Sequence, residues 1–153
     1  INAIALQISG AGYGRILDLF KGRNDLRDGI LRVLHPVSFI DDPTRILRGI
    51  RFEQRFDFVF EPFTYKLMRA ALDGTMLERV EPQRLRDELI LILKEDSPVK
   101  AMRRIAGVAG FSFISPKLRA TGSVMRVLAG IERRLAQKRQ NHPQENYRYF
   151  QPP

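Results

Sequence analysis

The chain has 153 residues, of which 44% are hydrophobic, and a formal net charge of +9. This length suffices for one domain with a hydrophobic core or for two small units. The sequence contains no cysteine and only two histidines, at positions 35 and 142, which excludes disulfides and argues against a histidine-rich metal site or a Ser/His triad. No apolar run approaches the ~20 residues of a membrane span, and no signal peptide is visible. We therefore expect a soluble cytoplasmic protein without a membrane partner.

The positive charge is concentrated in the last third of the chain. Residues 1–96 carry 15 basic and 15 acidic side chains, whereas residues 97–153 carry 11 basic and two acidic ones. Such an asymmetry indicates a polyanionic partner, RNA or DNA, held through salt-dependent phosphate contacts. A generic basic surface that favours solubility is the alternative.

The predicted elements change from strands to helices near residue 36. Residues 1–33 indicate strands, interrupted by a glycine-rich turn at 10–14 and a short helical turn over 22–29. Beyond them the apolar residues recur with helical spacing. The predicted helical segments are 42–57, 62–72, 76–80, one from 82, one from 98 and 117–140. A brief extended link at 58–60 and an irregular tail at 141–153 complete a mainly α fold that begins with a short β segment.

Apolar spacing also predicts which helical residues face the core. The predicted inward positions are Ile46, Leu47, Ile50, Phe52, Phe56, Leu85, Leu89, Ile92, Leu93, Met125, Leu128, Ile131 and Leu135.

The most informative local pattern lies at the start of the helix predicted from residue 42. Asp42 and Arg45 are three residues apart, so on a helix they share a face. A carboxylate only accepts hydrogen bonds and a guanidinium only donates them. Side by side they form an edge that pairs with a donor next to an acceptor. Adenine and cytosine present a donor and an acceptor in this order, whereas guanine and uracil present them in the reverse order. The pattern is thus suited to selecting A and C.

A purely structural interpretation of the same residues is also open. Asp42 is a favourable N-cap, and Pro43 suits the first helical position. On this interpretation the arginines at 45, 48, 51 and 55 form a solvated face.

Five blocks of the sequence, in this order, resemble the class II branch of the tRNA nucleotidyltransferase/poly(A) polymerase family, the bacterial CCA-adding and poly(A)-adding enzymes. The blocks are INAIA at 1–5, a series from Asp18 to Arg32 containing Asp25, a series from Phe39 to Phe52, EPQRLRDEL at 81–89, and a series from Gly110 to Pro116. The resemblance covers residues 1 to about 118. Each block alone is loose, whereas their ordered series is specific.

The resemblance implies a template-independent nucleotidyltransferase that adds A, with C as a further candidate, to the 3′ end of tRNA or another RNA. It implies that Asp42 and Arg45 read the base edge of ATP or CTP, and that Arg48 lies near the nucleotide. Asp41 stands where the family usually has Glu, which orients the neighbouring arginine. Asp18 and Asp25 are expected in hinge and packing roles. The choice among CCA-, CC-, A- and poly(A)-adding activity stays open.

The catalytic Mg²⁺ ions of the family bind a D-x-D pair in a head domain that precedes these blocks. No D-x-D occurs in this chain, and its first residue is Ile1. We therefore expect a fragment that lacks most of the head, binds no metal and is inactive alone, whereas its full-length parent is an enzyme.

The resemblance divides the chain into four parts: a head remnant at 1–35, a base-recognising neck at 36–96, a basic RNA-binding body segment at 97–140, and the tail. The candidate RNA-binding residues are Lys117, Arg119, Arg133, Arg134, Lys138 and Arg139. Tyr147 and Tyr149 are weaker candidates for stacking on an end base. The competing hypotheses are a non-enzymatic basic helical RNA-binding module and a helical regulator whose basic end meets DNA. Exposed strand edges at 1–8 and 15–20 predict poor packing or pairing with another copy.

Overall fold

The structure, a computed structural model, describes residues 3–141 apart from the side chain of Arg139. The helices α1 to α7 are, in chain order, Gly22–Arg27, Ser38–Asp41, Thr44–Phe56, Pro62–Asp73, Pro82–Leu93, Pro98–Val108 and Gly122–Asn141. The strands β1 to β4 are Ala5–Leu6, Ile16–Leu17, Ile30–Leu31 and Val59–Phe60. Two 3₁₀ turns, Gly10–Gly12 and Met76–Arg79, lie between them. The predicted mainly α fold is confirmed.

The strands form two separate two-stranded ladders. Strand β1 pairs antiparallel with β2, and β3 pairs parallel with β4. Gly10 and Gly14, in the turn that joins β1 to β2, have φ of 73° and 83°, a backbone conformation that glycine adopts without a steric penalty. The sequence predicted the strand segments but overestimated their length. It treated 58–60 as a link and missed its pairing with β3.

The start of α3 shows how the local sequence sets a helix boundary. The Oδ1 atom of Asp42 accepts hydrogen bonds from the backbone N–H and the hydroxyl of Thr44, at 3.2 and 2.6 Å. Asp42 therefore accepts from the first backbone N–H of α3, but the N-cap residue is Pro43, one position later than predicted. The short helix α2 before it was not predicted.

Helix α3 is the centre of the core. The fully buried side chains include Ile46, Leu47 and Ile50 of α3, Met68 of α4, Ile92 of α5 and Ile105 of α6. Each buried aliphatic side chain of this size contributes about 1.5–3 kcal/mol to folding. Phe111 and Phe113, in the predicted apolar link after α6, are also buried in this cluster. The core thus fixes the orientation of α3 and of the helix face that carries Arg45 and Arg48.

Four of the predicted inward positions are wrong: Phe56, Leu93, Ile131 and Leu135 are 44–50% exposed. Phe56 is the last residue of α3 and Leu93 the last of α5, so each lies at the end of the packed helix. Ile131 and Leu135 lie in α7, which has 20 residues, whereas the helix it packs against, α6, has 11. The first half of α7 contacts the core, and its apolar stripe continues past the end of that contact.

The last helix begins at Gly122 rather than at the predicted Lys117. The residues between are held in turns, in which Leu118 N–H donates to the Ser115 carbonyl and Arg119 Nη1 donates to the Pro116 carbonyl, at 2.9 and 2.7 Å. Lys117 and Arg119 therefore precede the helix. No helix within residues 3–141 is long and apolar enough to cross a membrane.

The hairpin that contains β1 and β2 leaves apolar side chains in solvent. Leu6, Ile8 and Leu19 are exposed, as is Tyr13 in the turn. The apolar side chains of this region are therefore exposed, as expected. Its pairing with another copy stays a prediction. The tail was predicted at 141–153, but Asn141 is the last residue of α7, and the remaining residues lie outside the described part of the chain.

Candidate functional site

One face of α3 lines a cavity of about 490 Å³. Arg45, Arg48, Gly49 and Phe52 occupy positions i, i+3, i+4 and i+7 and therefore lie on the same side of the helix. The remaining walls come from the segment 30–35, from α2, and from Phe60, Thr64, Ala3, Phe20, Gly22 and Asp25. This cavity contains two of the four residues predicted to bind a nucleotide base.

Asp42 and Arg45 lie next to each other at the start of this face. Arg45 Nη1 donates to the hydroxyl and the carbonyl of Ser38, at 2.6 and 3.3 Å, and Arg45 Nε lies 3.8 Å from Asp42 Oδ2. Two hydrogen bonds donated to Ser38 of α2 thus orient the guanidinium beside the carboxylate. The carboxylate and the guanidinium are therefore neighbours, as their spacing predicts.

The environment of Asp42 keeps it ionised. Burial alone would raise the pKa of this carboxyl, but the hydrogen bonds from Thr44 and the charges of Arg84 and Arg45 outweigh burial and hold the pKa below its usual value. The Nη2 atom of Arg84, on α5, lies 2.9 Å from Asp42 Oδ1. An ionised carboxylate only accepts hydrogen bonds.

Asp41 contacts a different partner from the one that the resemblance implies. Its Oδ2 atom lies 3.9 Å from His35 Nδ1, and no hydrogen bond joins its side chain to Arg45 among the described residues. Aspartate is one methylene shorter than the glutamate usual in the family, which accounts for the lost reach. Ser38 and Asp42 hold Arg45 instead, and the sequence did not single out Ser38.

Arg48 is the counterion of a buried carboxylate. Its Nε and Nη2 atoms donate to Glu88 Oε1 of α5, at 2.9 and 2.5 Å, and Glu88 is 5% exposed. Within the described part of the chain, no group donates a hydrogen bond to Glu88 Oε2. The contact with Glu88 thus fixes the guanidinium of Arg48 at the wall of the cavity. The role of Glu88 was missed, although it lies in the block 81–89.

Similar ion pairs continue along α3 and α5. Arg51 and Arg55 lie 3.1 and 3.4 Å from Glu95 Oε1, and Arg104 of α6 pairs with Glu53 at 2.8 Å. The side chain of Arg51 is only 11% exposed. The alternative of a solvated arginine face is therefore wrong for Arg51.

The predicted RNA-binding residues divide into two groups. Lys117 and Arg119 lie in the turns before α7, and Arg133, Arg134 and Lys138 are exposed on α7 itself. Arg134 and Lys138 are four residues apart and share a face. The side chain of Arg139 and both Tyr147 and Tyr149 lie outside the described part of the chain.

The described residues do not fit a Mg²⁺ site. Within residues 3–141, no group of three or more His, Asp or Glu side chains is placed to hold a metal ion. The carboxylates around α3 are already neutralised by arginines: Asp25 contacts Arg32 and Glu88 contacts Arg48.

The low pKa of Asp42 predicts an acid-labile contribution to stability. A carboxyl whose pKa is depressed by folding stabilises fully above its unfolded pKa of about 3.9, and this contribution is lost as the pH falls through the lower folded value. Urea unfolding at neutral pH and at pH values below about 3.9 should show a stability advantage of wild type over Asp42→Asn that shrinks as the pH falls. An advantage that is constant with pH would contradict the assignment.

Comparison with known proteins shows which proteins this chain is similar to. The family described as "Probable RNA and SrmB- binding site of polymerase A" matches residues 57–120, which contain α4, α5 and α6. The chain is 38% identical over 133 residues to the A-adding tRNA nucleotidyltransferase of Geobacter sulfurreducens. That match covers 87% of this chain and 15% of that protein.

Two solved structures have the same fold at higher identity. A Thermotoga maritima CCA-adding enzyme complexed with tRNA superposes with a TM-score of 0.83 at 42% identity, over 92% of this chain and 34% of that one. A CCA-adding enzyme in complex with ATP gives a TM-score of 0.84 at 42% identity and the same coverage.

The resemblance to the tRNA nucleotidyltransferase/poly(A) polymerase family that the sequence blocks predicted is therefore confirmed over most of this chain. The chain spans about a third of the solved structures named above and less of the Geobacter relative.

Proposed function

We propose that this chain is part of a template-independent RNA nucleotidyltransferase that adds A, with C as a second candidate, to the 3′ end of tRNA. The observation that carries the proposal is the Asp42–Arg45 edge beside a cavity of nucleotide size. The names of the relatives support it, since one is A-adding and another was solved with ATP. A tRNA substrate places the protein in the cytoplasm.

In this proposal the residues 36–96 select the base. The ionised Asp42 carboxylate accepts the adenine N6 amine, and the Arg45 guanidinium donates to N1. Guanine or uracil would place an oxygen against the carboxylate and an N–H against the guanidinium, so both contacts would be repulsive. Because Ser38 and Arg84 hold the two side chains before the nucleotide binds, the edge is preorganised and little ordering is needed on binding.

The test is nucleotide incorporation by the full-length polypeptide that carries residues 1–153. It is incubated with tRNA ending before the terminal A, or lacking CCA, and with each of the four nucleoside triphosphates separately. Incorporation of A, or of C and A, with exclusion of G and U is the expected result. RNA binding without any incorporation would overturn the proposal and favour a non-enzymatic helical RNA-binding module.

The segment 97–140 is proposed to hold RNA through its phosphates, which predicts a salt-dependent effect. Replacing Arg134 and Lys138 by glutamine should weaken tRNA binding and reduce the salt slope by roughly one unit per lost contact. Arg23→Gln combined with Arg27→Gln removes the same charge from the exposed helix α1 and serves as the control. Equal effects of the two double variants would show a nonspecific charge effect and contradict a site on α7.

A further inference from the structure

Gly49 leaves a gap in the middle of the helix face that lines the cavity, and the ring of Phe60 fills it. A Cβ atom at Gly49 would lie 2.7 Å from Phe60 Cζ and 2.9 Å from Cε1, far inside ordinary van der Waals contact of 3.4–4 Å. The edge of the ring thus occupies the space that an alanine side chain would need. This contact lies one helical turn beyond Arg45, since residues four apart are neighbours on a helix.

The backbone on both sides of Phe60 is held in place. Phe60 is opposite Leu31 in the parallel ladder of β3 and β4, and the N–H groups of Val59 and Glu61 donate to the carbonyls of Gly29 and Leu31, at 2.8 and 3.0 Å. The Glu61 side chain then accepts from Thr64 N–H at the start of α4, at 2.8 Å. The backbone of Phe60 therefore cannot move away from α3 without breaking hydrogen bonds of the strand or of the helix start, whereas its ring can still turn about the side-chain torsions.

Phe60, Gly49, Arg45 and Arg48 all line the same cavity. Any displacement of the ring that keeps the strand in place therefore changes the free space of the cavity. Aromatic rings also offer a flat apolar surface on which nucleobases stack. Because Phe60 and Arg45 line the same cavity, the position of the ring connects the size of this space to the proposed base-reading edge.

We infer that Gly49 and Phe60 together set the depth of the nucleotide cavity, so that Phe60 is a positioning residue that selects the base by size. The inference rests on the proposed function. Asp42 and Arg45 read the polar edge of the base, whereas Phe60 limits how far the ring system enters before that edge is met.

The variant Gly49→Ala tests this directly. Its methyl group should push the Phe60 ring into the cavity, and a two-ring base should suffer more than a one-ring base. One extra methyl group in a binding pocket changes discrimination by roughly tenfold or more. In the full-length protein, the KM for ATP should therefore rise roughly tenfold with a smaller change in kcat, while the inhibition constant of CTP changes less.

The double variant Gly49→Ala/Phe60→Leu supplies the rescue. Leucine lacks the ring atoms Cε1 and Cζ that the new methyl group would meet, so the KM for ATP should return toward the wild-type value. Phe63→Leu makes the same change at a residue of α4 that is 54% exposed and should leave both nucleotides unaffected. Thermal unfolding of each variant verifies that it is folded.

Several outcomes would overturn the inference. A Gly49→Ala variant with unchanged ATP kinetics, equal losses for ATP and CTP, or a double variant without rescue would each do so. If Gly49→Ala does not fold, the variant Phe60→Leu decides the question alone. Its deeper cavity should narrow the difference between the KM for ATP and the inhibition constant of CTP. An unchanged difference contradicts the inference. A wild type that incorporates no nucleotide would overturn the proposed function itself, which separates the two failures.

Discussion

Asp42→Ala in the full-length protein is expected to lose nucleotide selectivity while the helices around it stay folded. The substitution removes the acceptor for the adenine N6 amine and with it the repulsion that excludes guanine and uracil. Because a hydrogen bond to a charged group contributes about 1.5–3 kcal/mol, the preference for A over G should fall by roughly 10- to 100-fold. Incorporation assays with the four nucleoside triphosphates in competition measure this preference.

The same substitution also removes a hydrogen-bond acceptor at the start of α3, so its effect on stability has to be measured separately. The loss of the contact to Thr44 should cost about 1–2 kcal/mol in urea unfolding. Asp87→Ala is a suitable control, since Asp87 is an exposed carboxylate on α5 whose ion pair is with its neighbour Arg86. Unchanged nucleotide preference in a folded Asp42→Ala variant would contradict the assignment of the base-reading edge.

The second large effect is expected for the variant Arg48→Ala, whose free energy of unfolding should fall. Arg48→Ala leaves the Glu88 carboxylate buried with neither oxygen paired, and breaking a buried pair in this way costs about 3–5 kcal/mol. Urea unfolding measures the loss. The free energies of unfolding of wild type and variant should differ far more than they would if an exposed ion pair were removed, because such a pair contributes about 0–1 kcal/mol.

A double variant distinguishes this mechanism from a simple loss of packing. In Arg48→Ala/Glu88→Leu the unpaired charge is replaced by an apolar side chain, so most of the lost stability should return. Equal destabilisation of the single and double variants would contradict the role of Glu88 as a buried anion. The contact also gives Arg48 a structural role in addition to its predicted place near the nucleotide.

The features of the fold that depend on short-range chemistry were predictable from the sequence. Pro62 and Pro82 stand at the first position of their helices, and Ser97 is the N-cap residue before α6; each of these signals acts within one helical turn. The proximity of Asp42 and Arg45 was predictable from their spacing of three residues, although Asp42 precedes α3 rather than lying on it.

The features that depend on the packing of distant segments were not predictable. Glu88 lies 40 residues from Arg48, and no local pattern states that α5 places its carboxylates against the arginines of α3. The pairing of β3 with β4 and the close contact of Gly49 with Phe60 require the same knowledge of tertiary structure. The apolar spacing of Ile131 and Leu135 is helical but does not say whether a partner helix covers them, which is why their predicted burial was wrong.

The most direct test of the central claim is a crystal structure of the full-length protein bound to an ATP analogue that cannot react. The account predicts that the adenine N6 amine lies within hydrogen-bonding distance of the Asp42 carboxylate, and that N1 accepts from the Arg45 guanidinium. An analogue bound elsewhere, with Asp42 and Arg45 contacting only Ser38, Thr44 and Arg84, would contradict it.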